Sequence, residues 1–400
     1  MKIFKYIFYG LLLLFLFHFE TLYIGPIKIS HLWKGVVLVY LLISIIKNKH
    51  KTFIYKPFIW IAILQLLNIE LLNNPFNAFV NFGTTLLLPV IGIYVLKLNY
   101  YQLRNALIFF SLFYIFSFIP YRLGILQSIA EGYNLSAFGG TSGLVGPFQN
   151  PHGAAISLAS ALIIVLYYWL EGSFNKLHLT LLFLLGFYFL LSTYVRTGFA
   201  MFAIGSIPTL IYFAKKRFRT FFQLSVFAFF LAILVSNWIF SNEALINRIT
   251  GQSHYQSEES FESIGSGRGG IYIASLQIFA EANIIEKVFG IGQSEQFNRI
   301  YKKIGMRIGS HNGILDILLK NGIIGLLFLL AYFFRFYKLK EIIDRSPEKA
   351  LIKSLFWMFL IMTMVQGFEW LSANLICMFS ISLIYQNTKQ LLYEKKPIVN

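Results

Sequence analysis

Apolar runs of membrane-spanning length recur along the chain, at residues 3–18, 33–46, 57–72, 82–97, 105–121, 151–169, 179–195, 198–214, 220–240, 314–334, 351–366 and 371–386. Several fall slightly short of the ~20 residues that a perpendicular helix needs, so their flanking Tyr, Trp and Lys side chains are expected at the interface. The pattern predicts an all-α, polytopic membrane protein with about twelve transmembrane helices. Polar residues gather instead in a short segment near 122–150 and a long one at 241–313. Three regions follow: N-terminal transmembrane helices over 1–140, a core over 141–335 that includes the long loop, and C-terminal helices with a tail over 336–400.

Composition strengthens this reading. The chain is 57% hydrophobic and only 13% charged, with a mean hydropathy of +0.66, whereas soluble domains run near a quarter charged. A disordered, collagen-like or free nucleic-acid-binding chain is excluded, although the net charge is +17. Basic residues in short loops stay on the cytoplasmic side. Placing Lys2 and Lys5 there puts segments 47–56, 97–104, 171–178, 215–219 and 335–353 and the C-terminal tail on that side too, with most of the 34 basic residues. Both termini are therefore expected in the cytoplasm and the two polar segments outside. Lys215-Lys216-Arg217-Phe218-Arg219 then reads as a topology anchor ahead of a lipid or partner contact.

The first run resembles a signal peptide, but the bulky His18-Phe19-Glu20-Thr21-Leu22 offers no small-residue cleavage site, so it is expected to remain as a helix. The single cysteine, Cys377, forms no intrachain disulfide. The two halves show no repeat of the kind many secondary transporters carry. With polar material on one side only, the distribution points to an enzyme with an external active site, ahead of a flippase.

Acidic residues discriminate most sharply. There are 17, of which only Asp316 and Asp344 are aspartates, and no Asp pair exists. Divalent cations at phosphate sites need well-placed carboxylates. The one cluster, Glu258-Glu259 with Glu262, lies in a Ser/Gln/Gly-rich stretch that reads as solvated loop. No metal and no cofactor is expected.

Isolated external cations stand out instead. Arg196, in Ser192-Thr193-Tyr194-Val195-Arg196-Thr197-Gly198, lies where two apolar runs meet at the outer surface; it either snorkels to the interface or serves an anion. Arg268 sits in Gly265-Ser266-Gly267-Arg268-Gly269-Gly270, read as a Gly-rich turn ahead of a helix, where N–H groups can meet an anion. Ile271, Ala274, Ile278 and Ala282 then keep helical spacing, as in an amphipathic helix along the membrane surface, which Phe289-Gly290-Ile291-Gly292 ends. In Gly309-Ser310-His311-Asn312-Gly313, Asn312 is the expected cap of the next span, holding His311 at the water boundary. Asp316 is five residues on, roughly 140° around the helix, and so is not the obvious carboxylate to orient His311. Asn150-Pro151 reads as a helix start, and Arg122 and Arg307 are further external cations.

Taken in order, Phe148-Gln149-Asn150-Pro151, Arg196-Thr197-Gly198, Ser266-Gly267-Arg268, Phe289-Gly290-Ile291-Gly292, His311-Asn312-Gly313-Ile314-Leu315 and Asn321-Gly322-Ile323-Ile324-Gly325-Leu326 resemble the O-antigen ligase and Wzy-type polymerase superfamily, over roughly residues 140 to 335. Tyr272 stands where an aromatic residue, often Trp, is usual, and the Pro common before the Phe-Gly pair is absent.

The resemblance implies a GT-C-like membrane glycosyltransferase of the bacterial inner (plasma) membrane. Such an enzyme takes glycans from undecaprenyl diphosphate at the outer face, without metal. Its partners would be the lipid-linked donor and acceptor, membrane lipids and a candidate chain-length regulator. By the same resemblance His311 is the catalytic base, and Arg268 and Arg196 are catalytic contacts to the diphosphate. Arg122, Asn150, Arg307 and Asn312 are candidate substrate-binding residues. Arginine suits phosphate by bidentate pairing, and histidine titrates near working pH. Polymerase is the expected activity, with ligase as the alternative.

Overall fold

The computed structural model describes residues 23–24, 27–28, 35–36, 38–39, 42–43, 46, 56–68, 70–95, 99–127, 143–148, 151–219, 221–223, 225–226, 264–305, 307–367 and 380. The first helices are α1 (Lys56–Leu64), α2 (Glu70–Asn73), α3 (Pro75–Val95), α4 (Tyr100–Ser117), α5 (Ile119–Arg122), α6 (Pro151–Glu171), α7 (Lys176–Ser192) and α8 (Arg196–Lys216). Then come α9 (Ile264–Glu281), α10 (Ile284–Phe289), α11 (Gln293–Ile304), α12 (Gly313–Lys338), α13 (Lys340–Arg345) and α14 (Lys349–Val365). Among the described residues, the departure from an all-helical chain is a two-residue antiparallel ladder, β1 (Tyr23–Ile24) with β2 (Ile27–Lys28).

Among the described residues, four segments are long and apolar enough to cross a membrane: Tyr100–Arg122, Pro151–Glu171, Arg196–Lys216 and Gly313–Arg345. They fall on the expected runs 105–121, 151–169, 198–214 and 314–334, and the shorter apolar helix Lys176–Ser192 falls on 179–195. Run 3–18 lies outside the described residues, as do half of 33–46 and most of 220–240 and 371–386.

Run 57–72, expected as one span, is broken. α1 ends at Leu64, a turn follows, and α2 starts at Glu70. The polar side chains within the run supply the reason: Gln65, Asn68 and Glu70 are all buried, and each bonds to a distant segment. A continuous helix in lipid would leave those groups without partners.

The chain divides into two compact units. One comprises residues 104–258 and 348–361, the other residues 1–103, 259–347 and 362–400. In the first unit α6 is buried along nearly its whole length, as an all-round apolar helix must be, and α7 and α8 pack on it. Small residues set the close approach: a Cβ on Gly198 or Gly205 of α8 would run into Ala155 or Ile163 of α6. Pro208 interrupts α8, and the next N–H, of Thr209, donates to Ser354 Oγ at 3.2 Å.

In the second unit α12 is two helices joined at Gly322, whose φ of 67° is open to glycine and costly for other residues. The strand-like stretch 290–292 lies against this break. Ile291 N–H donates to Leu319 O at 2.8 Å and Gly292 N–H to Lys320 O at 3.2 Å. These bonds serve carbonyls that the kink removes from the helical ladder. Side chains cannot fit there: a Cβ on Gly290 would strike Lys320 O, and one on Gly322 would strike Val288 O. The Phe-Gly-Ile-Gly and Asn-Gly-Ile-Ile-Gly motifs are thus two sides of one backbone-to-backbone contact.

α9 starts at Ile264, so Gly265–Gly270 is helical rather than the turn expected from its glycines. Its stripe Ile271, Ala274, Ile278 and Ala282 is buried. Ile278 joins Ile291, Ile300 and Leu319 in a core that Phe279, Ile304 and Ile308 flank. The helical spacing of these four residues holds, but α9 is not an amphipathic surface helix: apolar residues lie on its other faces too, and the stripe meets protein where lipid is expected. A short α10, capped reciprocally by Asn283 and Glu286, separates α9 from the glycine motif.

Candidate active site

His311 occupies the last turn before α12, with φ of 52°. Left-handed backbone is uncommon for a residue with a side chain, though histidine tolerates it better than most. A set of hydrogen bonds holds the turn. Asp316, buried in the first turn of α12, accepts from Ser310 N–H at 3.0 Å and from Ser310 Oγ at 2.6 Å. Ser310 Oγ also lies 2.8 Å from Asn312 O. Asn312 caps α12 as expected, its Oδ1 accepting from Ile314 and Leu315 N–H at 3.0 and 3.2 Å. With Oδ1 so engaged, Nδ2 is the part of Asn312 that can meet a ligand.

Arg268 and Tyr272, one helical turn apart on α9, face this turn. Tyr272 OH lies 3.5 Å from His311 O, and Arg268 Nη1 donates to Val365 O at 3.2 Å. The next residue after Val365, Gln366, hydrogen-bonds the imidazole with its side chain. Desolvation lowers the His311 pKa most, and the Arg268 guanidinium lowers it further. Asp316 and the Gln366 hydrogen bond oppose them, and the net shift is downward. The shift favours the neutral imidazole, the form that accepts a proton, beside the Arg268 guanidinium.

A second brace runs through α11. Gln296 Nε2 donates to Asp316 Oδ1 at 2.7 Å. At the N-terminus of α11, Gln293 and Ser294 N–H donate to the Glu70 carboxylate at 2.6 and 3.2 Å, and Ser294 Oγ donates at 2.6 Å. An anion at a helix N-terminus is favourable, so this buried glutamate caps α11 from a remote segment. Behind it, Arg299 grips Glu286 through two nitrogens, at 3.2 and 2.6 Å. That hydrogen bonding holds the Glu286 carboxyl below its usual range.

Of the residues singled out from sequence, His311, Arg268, Asn312 and Arg307 lie in this unit, the first three around one turn. Arg307 is exposed at the edge of a cavity of about 450 Å³. Arg196 and Arg122 belong to the other unit. Arg196 opens α8, just after Tyr194 with φ of 54°, and is exposed. Arg122 closes α5 and lies over the Tyr188 ring, 5.5 Å from its centroid. Asn150 lies outside the described residues. Among the described residues no group of three or more His, Cys, Asp or Glu could hold a metal.

Sequence reasoning missed Gln366, Gln296 and Glu70. Gln366 left a trace, since by alternation the run 351–366 ends on the same side as His311. Glu70 left a clearer one, as a lone carboxylate inside an apolar run.

These features define a class: a helical protein with membrane-length apolar helices, in which an imidazole is held beside a guanidinium at the start of one such helix. The family model described as Wzy_C, O-antigen ligase, matches residues 181–330. Over that stretch the chain is similar to the O-antigen ligase family, and the match supports a membrane enzyme of the O-antigen ligase and polymerase type. Arg196, Arg268 and His311 lie inside the matched stretch, Arg122 and Asn150 before it and Gln366 after it. No curated protein matches the chain.

Proposed function

We propose that the protein is a polymerase that joins oligosaccharide repeat units carried on undecaprenyl diphosphate, at the outer face of the bacterial inner (plasma) membrane. The observation that carries the reading is the neutral-favouring, braced imidazole of His311 beside Arg268, within the residues that match the family. His311 takes the proton of the acceptor hydroxyl as its oxygen bonds to the anomeric carbon of the donor. The bond from that carbon to the diphosphate breaks, its electron pair stays on the diphosphate oxygen, and Arg268 stabilises the charge that grows there. Direct displacement inverts the anomeric centre. The scarcity of aspartates favours arginine over a metal ion for this task. Arg196 is proposed as a further phosphate contact, and Arg122 and Asn150 as weaker contributors.

Arg268→Lys keeps the charge and loses the planar fork. We expect it to lower kcat at least tenfold, and wild-type turnover in this variant would count against bidentate phosphate contact. The family description favours a second reading, transfer of finished polymer to lipid A-core or another acceptor. Glycans in a deletion strain separate the two. Single repeat units on the final acceptor indicate a polymerase, and polymer stranded on the lipid carrier indicates a ligase.

A further inference from the structure

Beside the His311 turn lies a cavity of about 450 Å³ lined by Asn77, Asn81, Gln293, Ser294, Phe297 and Arg307. Its volume is at the small end of ligand pockets, enough for a sugar ring or a disaccharide. Its chemistry is unusual for this chain, in which 57% of residues are hydrophobic. Three side-chain amides, a hydroxyl and a guanidinium surround one aromatic ring. Each amide offers both a donor and an acceptor, which matches hydroxyl groups that do the same. A lone phosphate would need donors only, and a lipid tail would need an apolar wall.

The lining is already oriented. Asn77 and Asn81 share a face of α3 by their spacing of four. Asn77 Nδ2 donates to Ser294 Oγ at 3.1 Å, and Asn81 Nδ2 lies 3.5 Å from Glu70 Oε2. Arg307 has no hydrogen bond or ion pair among the described residues, so its donors are open to a ligand.

The cavity wall is also continuous with the candidate catalytic turn. Phe297 packs where Gly309 has no side chain, 3.5 Å from the position a Cβ would take. The neighbouring Gln296 bonds Asp316, which holds Ser310. We infer that this cavity is a sugar subsite, which seats a ring of the acceptor glycan and so delivers its hydroxyl to His311. The inference rests on the transfer reading above.

The test uses the full-length protein in detergent and the oligosaccharide repeat unit, released by mild acid from the lipid carrier of cells lacking this protein. Calorimetric titration is expected to give a Kd raised tenfold or more by Arg307→Gln and by Asn81→Ala. The acceptor KM should rise with it while kcat stays within about twofold. Arg307 is exposed and unbonded, so its variant should melt like wild type and report binding alone. An unchanged Kd in both variants overturns the subsite. The two readings fail separately: His311→Ala is expected to bind the oligosaccharide normally without transferring it. If His311→Ala still transferred, the transfer reading would fall while the titration stood.

Discussion

Asp316 Oδ1 accepts from both the N–H and the hydroxyl of Ser310, at 3.0 and 2.6 Å, and so fixes the residue that precedes His311. The carboxylate grips the turn, and its charge reaches the imidazole through space. The 140° offset that argued against a direct role is met by acting one residue upstream.

Asp316→Ala removes three hydrogen bonds to one buried carboxylate oxygen. We expect a loss of stability of about 1.5–3 kcal/mol and a large loss of transfer activity. Asp316→Asn keeps an acceptor for Ser310 and should retain more of both. Thermal melts in detergent beside transfer rates check this. Equal activity in Asp316→Ala and wild type would show that the turn needs no brace.

The acidic limb of the pH–rate profile should have its midpoint below the ordinary histidine value of about 6.5, because desolvation and Arg268 both lower the His311 pKa. Removing a lowering influence raises the midpoint, so Arg268→Gln should shift the limb to higher pH. Removing the Gln366 hydrogen bond, as in Gln366→Leu, should shift it to lower pH. Stability follows the same sign. The neutral imidazole's contribution is complete above its unfolded pKa and is lost as pH falls through the lower folded value. Rate profiles of the wild type and both variants measure all three shifts.

Much of this region was legible in the sequence, for reasons that the misses sharpen. Asn312 and the stripe Ile271, Ala274, Ile278 and Ala282 declare themselves through local rules, a cap and a helical period. The chain order of Arg268 and His311 points to one site because α9 and the start of α12 pack together. Gly265–Gly270 misled, since glycine is weakly helical alone and tertiary contacts override that preference. Glu70 marks run 57–72 as unusual, but neither it nor Gln65 names its partner, which lies more than 200 residues away. Gln366 and Asn77 offered no local pattern, and their roles exist only in the folded chain.

Gly322→Ala and Gly290→Ala each place a Cβ into a backbone carbonyl across the α12 break. Left-handed strain of ~1–2 kcal/mol is then joined by overpacking of ~1–3 kcal/mol. Gly305, with φ of 70°, ψ of 4° and open space around it, would meet only left-handed strain, milder than the positive-φ, extended-ψ backbone of Gly322 and Gly290. Gly305→Ala should therefore melt closer to wild type than either of the others. Equal melting temperatures for all three would refute the backbone contact.

Reconstitution tests the central claim most directly. Liposomes holding the protein and undecaprenyl-diphosphate-linked repeat units are examined for new glycosidic bonds between units. The wild type should yield a ladder of extended chains, and His311→Ala, inserted to the same level, should yield none. Chains of equal length and amount from His311→Ala, or none from the wild type, would contradict the account.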